Sequence, residues 1–237
     1  MNVTALCTTL AEQGFALIPQ LFDEADLAPL ASEIAALPLN AAVSQRAGSR
    51  YGIRNLLGLS PRLRRLVAEP RARALIEALV GKEARIVRSI FYDKTPQANW
   101  QVGWHQDTTI AVQTRVDLPG FHGWSVKAGV VHVQPPAEVL EQVLTMRIHL
   151  DAADETNGAL AVIPGSHRHG FLSENAVEDQ LRMQSQVLCA MPAGGVLLMR
   201  PLLLHASARA LNQAHRRVVH LEWAVSELPG GLRWSTN

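Results

Sequence analysis

The chain has 237 residues, 48% of them hydrophobic and 18% charged, which allows a sizeable core and excludes global disorder. Lys and Arg total 22 against 21 Asp and Glu, so a formal charge of +1 leaves no basic excess to suit nucleic acid. Its longest apolar runs, such as Val196–Met199 and Leu202–Leu204, fall far short of the ~20 residues that span a bilayer.

Two cysteines, Cys7 and Cys189, are too few for a disulfide framework or a cysteine-rich metal site. Residues 1–20 carry Glu12 and no basic stretch, so no secretory leader is expected and a cytoplasmic protein is. In chain order, Val3–Gln13 reads as a helix stopped by Gly14, and Phe15–Pro19 as a brief strand. Asp23 is placed to cap a helix running toward Leu37. Arg46, Arg50, Tyr51, Arg54 and Asn55 fall in a glycine-containing loop able to close over a site, where the arginines suggest a polar or acidic substrate. Ser60-Pro61 and Glu69-Pro70 each set a proline where a first helical turn accepts it, and the second helix, Pro70–Val80, ends at Gly81.

From Arg85 the pattern turns to strands: Arg85–Asp93, Val126–Val133, Val143–Asp151, Ala159–Pro164, Val187–Ala190, Val196–Arg200 and Arg216–Ala224. Short strands at this spacing, with no linker between domains, predict one antiparallel sandwich or barrel. Thr108–Pro136 reads as a long loop forming part of a substrate wall. In Leu144–Asp151 the even positions are apolar and the odd ones are Thr, Arg, His and Asp, so the two sets face opposite ways. The apolar set should pack on the N-terminal helices. Arg147 and His149, costly in a dry core, should then face solvent or a wet cavity.

Among nine histidines, His105 stands out in Trp104-His105-Gln106-Asp107. On an extended segment, His and Asp at i and i+2 project to one face and can reach one cation. With His205, two imidazoles and one carboxylate would occupy one octahedral face and leave three positions open, the ligand set of non-haem Fe(II) oxygenases. A loop histidine and aspartate satisfied by backbone would carry the same local pattern. The remaining histidines point elsewhere. His167 and His169 lie in a turn and read as structural or solvated, His122 as lining an entrance, and His132 and His220 as ordinary strand histidines. His215, beside two arginines, reads as solvated, while His149 stays a substrate-site candidate.

Four segments together resemble the phytanoyl-CoA dioxygenase family of Fe(II)/2-oxoglutarate-dependent oxygenases. They are Glu12–Pro19 with the acidic helix start after it, Trp104–Asp107, Leu150–Gly170 with its Asn157-Gly158 and Pro164-Gly165-Ser166-His167 stretches, and His205-Ala206-Ser207 with a following arginine. The resemblance implies a distorted double-stranded β-helix, a cupin-like jelly roll that is mainly β with buttressing helices. It would form one domain over 1–237, with a mainly helical buttress at 1–83 and the jelly-roll core at 84–237. It implies a dioxygenase that couples oxidation of a small-molecule substrate to conversion of 2-oxoglutarate and O2 into succinate and CO2. Partners would be that small molecule, with no nucleic acid or membrane, and the protein a monomer or homodimer.

The same resemblance makes His105, Asp107 and His205 the iron ligands. It assigns Ser207, Lys94 and an arginine to the cosubstrate. Tyr92 shares strand parity with Lys94 and joins that group. Arg147 stands where phytanoyl-CoA enzymes have tryptophan, and a cation there would bind either cosubstrate or an anionic substrate. Asp107 argues for hydroxylation, because related halogenases place Ala or Gly at that position. Arg50, Arg54 and His149 are the substrate-binding candidates. Two other readings remain open: a non-catalytic metal-binding jelly roll acting as a sensor or binding protein, and a zinc hydrolase.

The cosubstrate arginine is Arg216 or Arg217, which adjacent strand positions send to opposite faces. Apolar counting places Val219, Leu221 and Trp223, and with them Arg217, in a core. If that apolar face packs outward on helices, Arg216 looks into the cavity instead. The family's spacing from its distal histidine also leads to Arg216.

Overall fold

The computed structural model describes residues 2–38, 42–46 and 49–235, and the side chains of Arg46, Ser49 and Arg50 lie outside that description. Helix α1 (Val3–Gln13) opens on an Asn2 side-chain cap and closes at Gly14, whose φ of 81° suits a residue without Cβ. Strand β1 (Phe15–Ile18) leads to α2 (Glu24–Ala36), which starts at a reciprocal capping box between Asp23 and Asp26. A hairpin of β2 (Val43–Arg46) and β3 (Ser49–Arg54) follows, then α3 (Leu56–Leu59), α4 (Pro61–Ala68) and α5 (Pro70–Leu79). The next strands are β4 (Arg85–Lys94), β5 (Val102–His105), β6 (Ile110–Val112), β7 (His122–Lys127) and β8 (Val130–Gln134). After α6 (Ala137–Glu141) come β9 (Leu144–His149), β10 (Leu160–Val162), the exposed helix α7 (Glu174–Met183) and β11 (Val187–Cys189). Strands β12 (Val196–Met199), β13 (His205–Ser207) and β14 (Arg216–Ala224) complete the order.

All the ladders are antiparallel. Seven strands form a major sheet in the order β1-β12-β9-β14-β4-β3-β2, and four form a minor sheet, β11-β10-β13-β5. This is the mainly β jelly roll with buttressing helices that the sequence predicts. Helices α1, α2, α4 and α5 supply Leu10, Leu30, Leu63 and Ile76 to one buried cluster with Met146, Ile148, Val219, Leu221 and Trp223 of β9 and β14. The apolar faces of those strands therefore pack outward on helices, and their polar faces turn inward between the sheets. Phe15, Leu160, Val162, Leu197 and Met199 form a second buried apolar cluster, drawn from strands of both sheets.

Three expectations need correction: the loop around Tyr51 and Arg54, the loop Thr108–Pro136 and the single strand Val126–Val133. Residues 1–83 carry helices α1–α5, and β1, β2 and β3 from the same segment hydrogen-bond into the major sheet. The stretch around Tyr51 and Arg54 is strand rather than loop, with Gly52 paired opposite Tyr92. Thr108–Pro136 is no loop, and Val126–Val133 is no single strand. Strands β6, β8 and β7 make a third sheet, and the chain reverses at Ala128 and Gly129, with φ of 50° and 79°. Two consecutive left-handed residues are what a two-residue hairpin requires. Alanine in the first of those places conceals the turn from a search for Asn-Gly or Asp-Gly. Among the described residues, no helix is long and apolar enough to cross a membrane.

Candidate metal centre

Antiparallel pairing of β13 with β5 sets His205 directly opposite His105, and their ring centroids are 4.2 Å apart. Each imidazole holds its Nδ1 2.8 Å from the carbonyl oxygen two residues earlier, Gly103 for His105 and Leu203 for His205. A carbonyl can only accept, so both Nδ1 atoms donate and both Nε2 lone pairs are free to bind a metal. Asp107 lies just past β5, held by its backbone N–H donating to Pro201 O at 2.9 Å, and its Oδ2 is 3.8 Å from His205 Nε2. One ligand atom from each of the three residues falls within 4.8 Å of the others. Burial works against a charged Asp107, yet His205, His220, Arg88 and His105 hold its carboxyl down to about 2. Burial also pushes His205 down to about 4, against the pull of Asp107, so the ring is neutral at physiological pH. One anionic oxygen and two neutral imidazoles on one side of a cavity suit a divalent iron with open positions.

That cavity, about 130 Å³, is bounded by Tyr92, Trp100, Arg147, Ser207, Arg216 and His220 beside the three candidate ligands. Arg216 is 3% exposed, and its Nε and Nη1 have no hydrogen-bond partner. Burial, and then Arg147, lower its pKa to about 9, as expected of a guanidinium lacking a counter-charge. Its neighbour Arg217 points the other way and pairs with Asp151 through two bonds of 2.8 and 2.7 Å. Arg147 donates Nη1 to His220 Nδ1 at 3.1 Å, while His220 Nε2 lies 3.3 Å from Glu222, itself bound by Arg88 at 2.9 Å. Burial raises the Tyr92 phenol, so it stays protonated and able to donate.

Other candidate residues sit elsewhere. Lys94 is fully buried, paired opposite Arg216 but not among the residues that bound the cavity, donating to Ser207 Oγ at 2.9 Å and to Ala208 O, with its ammonium 5.5 Å from the Trp100 ring. It thus braces the strand carrying His205 and Ser207. Ser207 Oγ donates in turn to Gly158 O at 2.8 Å. His149, 1% exposed and with both ring nitrogens unpartnered, lies two strand positions from Arg147 on the same face, and burial followed by Arg147 lowers it to about 3. Arg54 lines a separate small pocket with Asn55, Arg88 and His132. The side chain of Arg50 is outside the described residues.

Three residues escaped the sequence reading. Trp100 lines the cavity with Tyr51 against it, ring centroids 5.3 Å apart. His220 lines it too, and its strand parity with Arg216 was the available signal. Gln106, between the two metal-site residues, donates Nε2 to Gly170 O and Leu202 O and accepts from Leu172 N–H, which ties down loops on both sides.

Lys94→Met is predicted to leave Ala208 O and Ser207 without their buried donor, at a cost of about 1–3 kcal/mol. Urea unfolding measures it. An unchanged midpoint would show that Lys94 braces nothing.

The family model described as "Phytanoyl-CoA dioxygenase (PhyH)" matches residues 10–218. The ectoine dioxygenase of Bordetella bronchiseptica is 28% identical over 169 residues, 68% of this chain and 47% of that protein. That of Bordetella parapertussis is 27% identical over the same coverage, so the chain spans about half the length of these relatives. Among solved structures, EctD from S. alaskensis with 2-oxoglutarate and 5-hydroxyectoine superposes with a TM-score of 0.73 at 20% identity, over 94% of this chain and 76% of that one. The non-haem alpha-ketoglutarate-dependent carbocyclase SnoK gives 0.68 at 17% identity, over 94% and 84%.

Proposed function

Since the chain belongs to the phytanoyl-CoA dioxygenase family, we propose that it is an Fe(II)- and 2-oxoglutarate-dependent dioxygenase that hydroxylates a small molecule and releases succinate and CO2. The observation that carries this reading is one cavity holding both a His-Asp-His set with free Nε2 atoms and a buried guanidinium with two unpartnered nitrogens. His105, Asp107 and His205 would hold the iron. When bound, that ion supplies chelation of the 2-oxo acid and activation of dioxygen, with positions left for both.

The chain's own residues do the rest. The Arg216 fork takes the far carboxylate of 2-oxoglutarate in a bidentate, charge-assisted pair, and Ser207 borders the same end. Asp107 stays ionised across the working pH range, so its oxygen is available without losing a proton first. Tyr92 and Trp100 wall the cavity against water, which strengthens each charge interaction inside it. The two relatives named ectoine dioxygenase, matched over about half their length, support a small-molecule substrate.

The test is iron-dependent conversion of 2-oxoglutarate to succinate in air without added substrate, followed by mass spectrometry of cell-extract compounds for the gain of one oxygen. Succinate above a metal-free control is expected. None above it would sink the oxygenase and leave a metal-binding protein without turnover.

A further inference from the structure

Arg147 is a buried cation without a counter-ion. It is 7% exposed, lies on β9 facing inward, lines the metal cavity and forms no ion pair among the described residues. Its Nε has no partner, and its Nη1 meets His220 Nδ1 rather than a carboxylate. A solvated surface arginine would cost nothing in this state, but a desolvated one is expensive. It is also held in place. His220 accepts from Arg147 on Nδ1, so its proton lies on Nε2 and points to Glu222, which Arg88 anchors. The guanidinium is therefore oriented before any ligand arrives.

Charge balance says what it awaits. Under the proposed function, a divalent iron meets Asp107 and the carboxylate that chelates with the 2-oxo group. The far carboxylate meets Arg216. Arg88 and Glu222 cancel each other at 2.9 Å. Burial, and then Arg216 and Arg147, bring Lys94 to about 7, and its hydrogen bonds go to Ser207 and Ala208. Of the cations that border the cavity, the one left without a matching carboxylate is Arg147. Arg147 pairs across from His220, four residues along β14 from Arg216, so their backbones stand about 13 Å apart along the strand while both side chains border one cavity. Both carboxylates of a five-carbon diacid are already matched.

We propose that Arg147 is a specificity-determining residue that receives an anionic group of the substrate, so the molecule oxidised is an acid, a carboxylate in the simplest case. This rests on the 2-oxoglutarate reading of the same cavity. Asp107 is the nearby carboxylate that keeps the well from being uniformly cationic, and it is committed to the metal.

The test uses zinc-loaded protein, which is expected not to turn over, saturated with 2-oxoglutarate and titrated calorimetrically with butyrate and with butyramide as matched probes. Butyrate is expected to bind in the millimolar range and the amide at least about tenfold more weakly. Arg147→Gln should lose that preference while keeping 2-oxoglutarate affinity within about threefold, and Arg147→Lys should keep part of it. Equal binding of acid and amide to the parent protein, or no butyrate binding at all, overturns the inference without relying on any variant. A tenfold loss of 2-oxoglutarate affinity in Arg147→Gln overturns it too, by making Arg147 a cosubstrate ligand. Failure of the parent protein to bind 2-oxoglutarate in the first titration overturns the functional reading and this inference with it. Success there with no discrimination overturns this inference alone.

Discussion

Asp107→Ala is expected to abolish 2-oxoglutarate turnover and to strip the protein of iron during gel filtration. The substitution removes the single anionic oxygen of the set and leaves two neutral imidazoles to hold a divalent cation. It also leaves His205 Nε2, now 3.8 Å from an Asp107 oxygen, facing a gap. Loss of one ligand from a three-residue face should cost more than the 10–100-fold typical of outer-shell partners, so a fall of about a thousandfold in metal-dependent rate is predicted. Folding should survive, because the Asp107 backbone bond to Pro201 does not involve the side chain. Iron content per chain and succinate formation are the two measurements. A variant that keeps full activity would remove Asp107 from the metal set.

The centre was legible because its residues obey local rules. His105 and Asp107 are two apart on extended chain, and Leu144–Asp151 alternates so cleanly that both faces of β9 can be assigned without coordinates. All six residues of that strand are buried, so composition alone would have made it a core strand. Alternation separated helix-facing Met146 and Ile148 from cavity-facing Arg147. What stayed illegible depends on partners distant in sequence. Lys94 enters the site through the family resemblance, and its bond to Ser207, 113 residues later, is one that no local pattern shows. The β2–β3 hairpin carries arginines and glycine where strands usually carry β-branched residues. Its Gly52 and Ile53 become strand because Tyr92 and Phe91 of β4 offer an unpaired edge. Helix α7 carries a Ser173 cap and sets Val177 and Leu181 one turn apart, yet it buries none of its residues.

Arg216→Ala should raise the 2-oxoglutarate requirement by about a hundredfold, while Arg217→Ala leaves it within a few-fold of the parent. The contrast is informative because the residues are adjacent, equally charged and on one strand. Arg216 turns from β14 into the cavity with Nε and Nη1 unpartnered, and a carboxylate there would gain two charge-assisted bonds in a desolvated site, each worth about 1.5–3 kcal/mol. Arg217 already has its carboxylate in Asp151, and its loss should appear in stability rather than in catalysis. That pair is partly exposed, with side chains 33% and 21% accessible, so the stability change should be small. Steady-state KM for 2-oxoglutarate, with kcat read at saturation, separates the two effects. Arg216→Lys should recover only part of the loss, because a point charge cannot reproduce the fork. If Arg217→Ala raised the requirement and Arg216→Ala did not, the inward face of β14 would not be the face that binds 2-oxoglutarate.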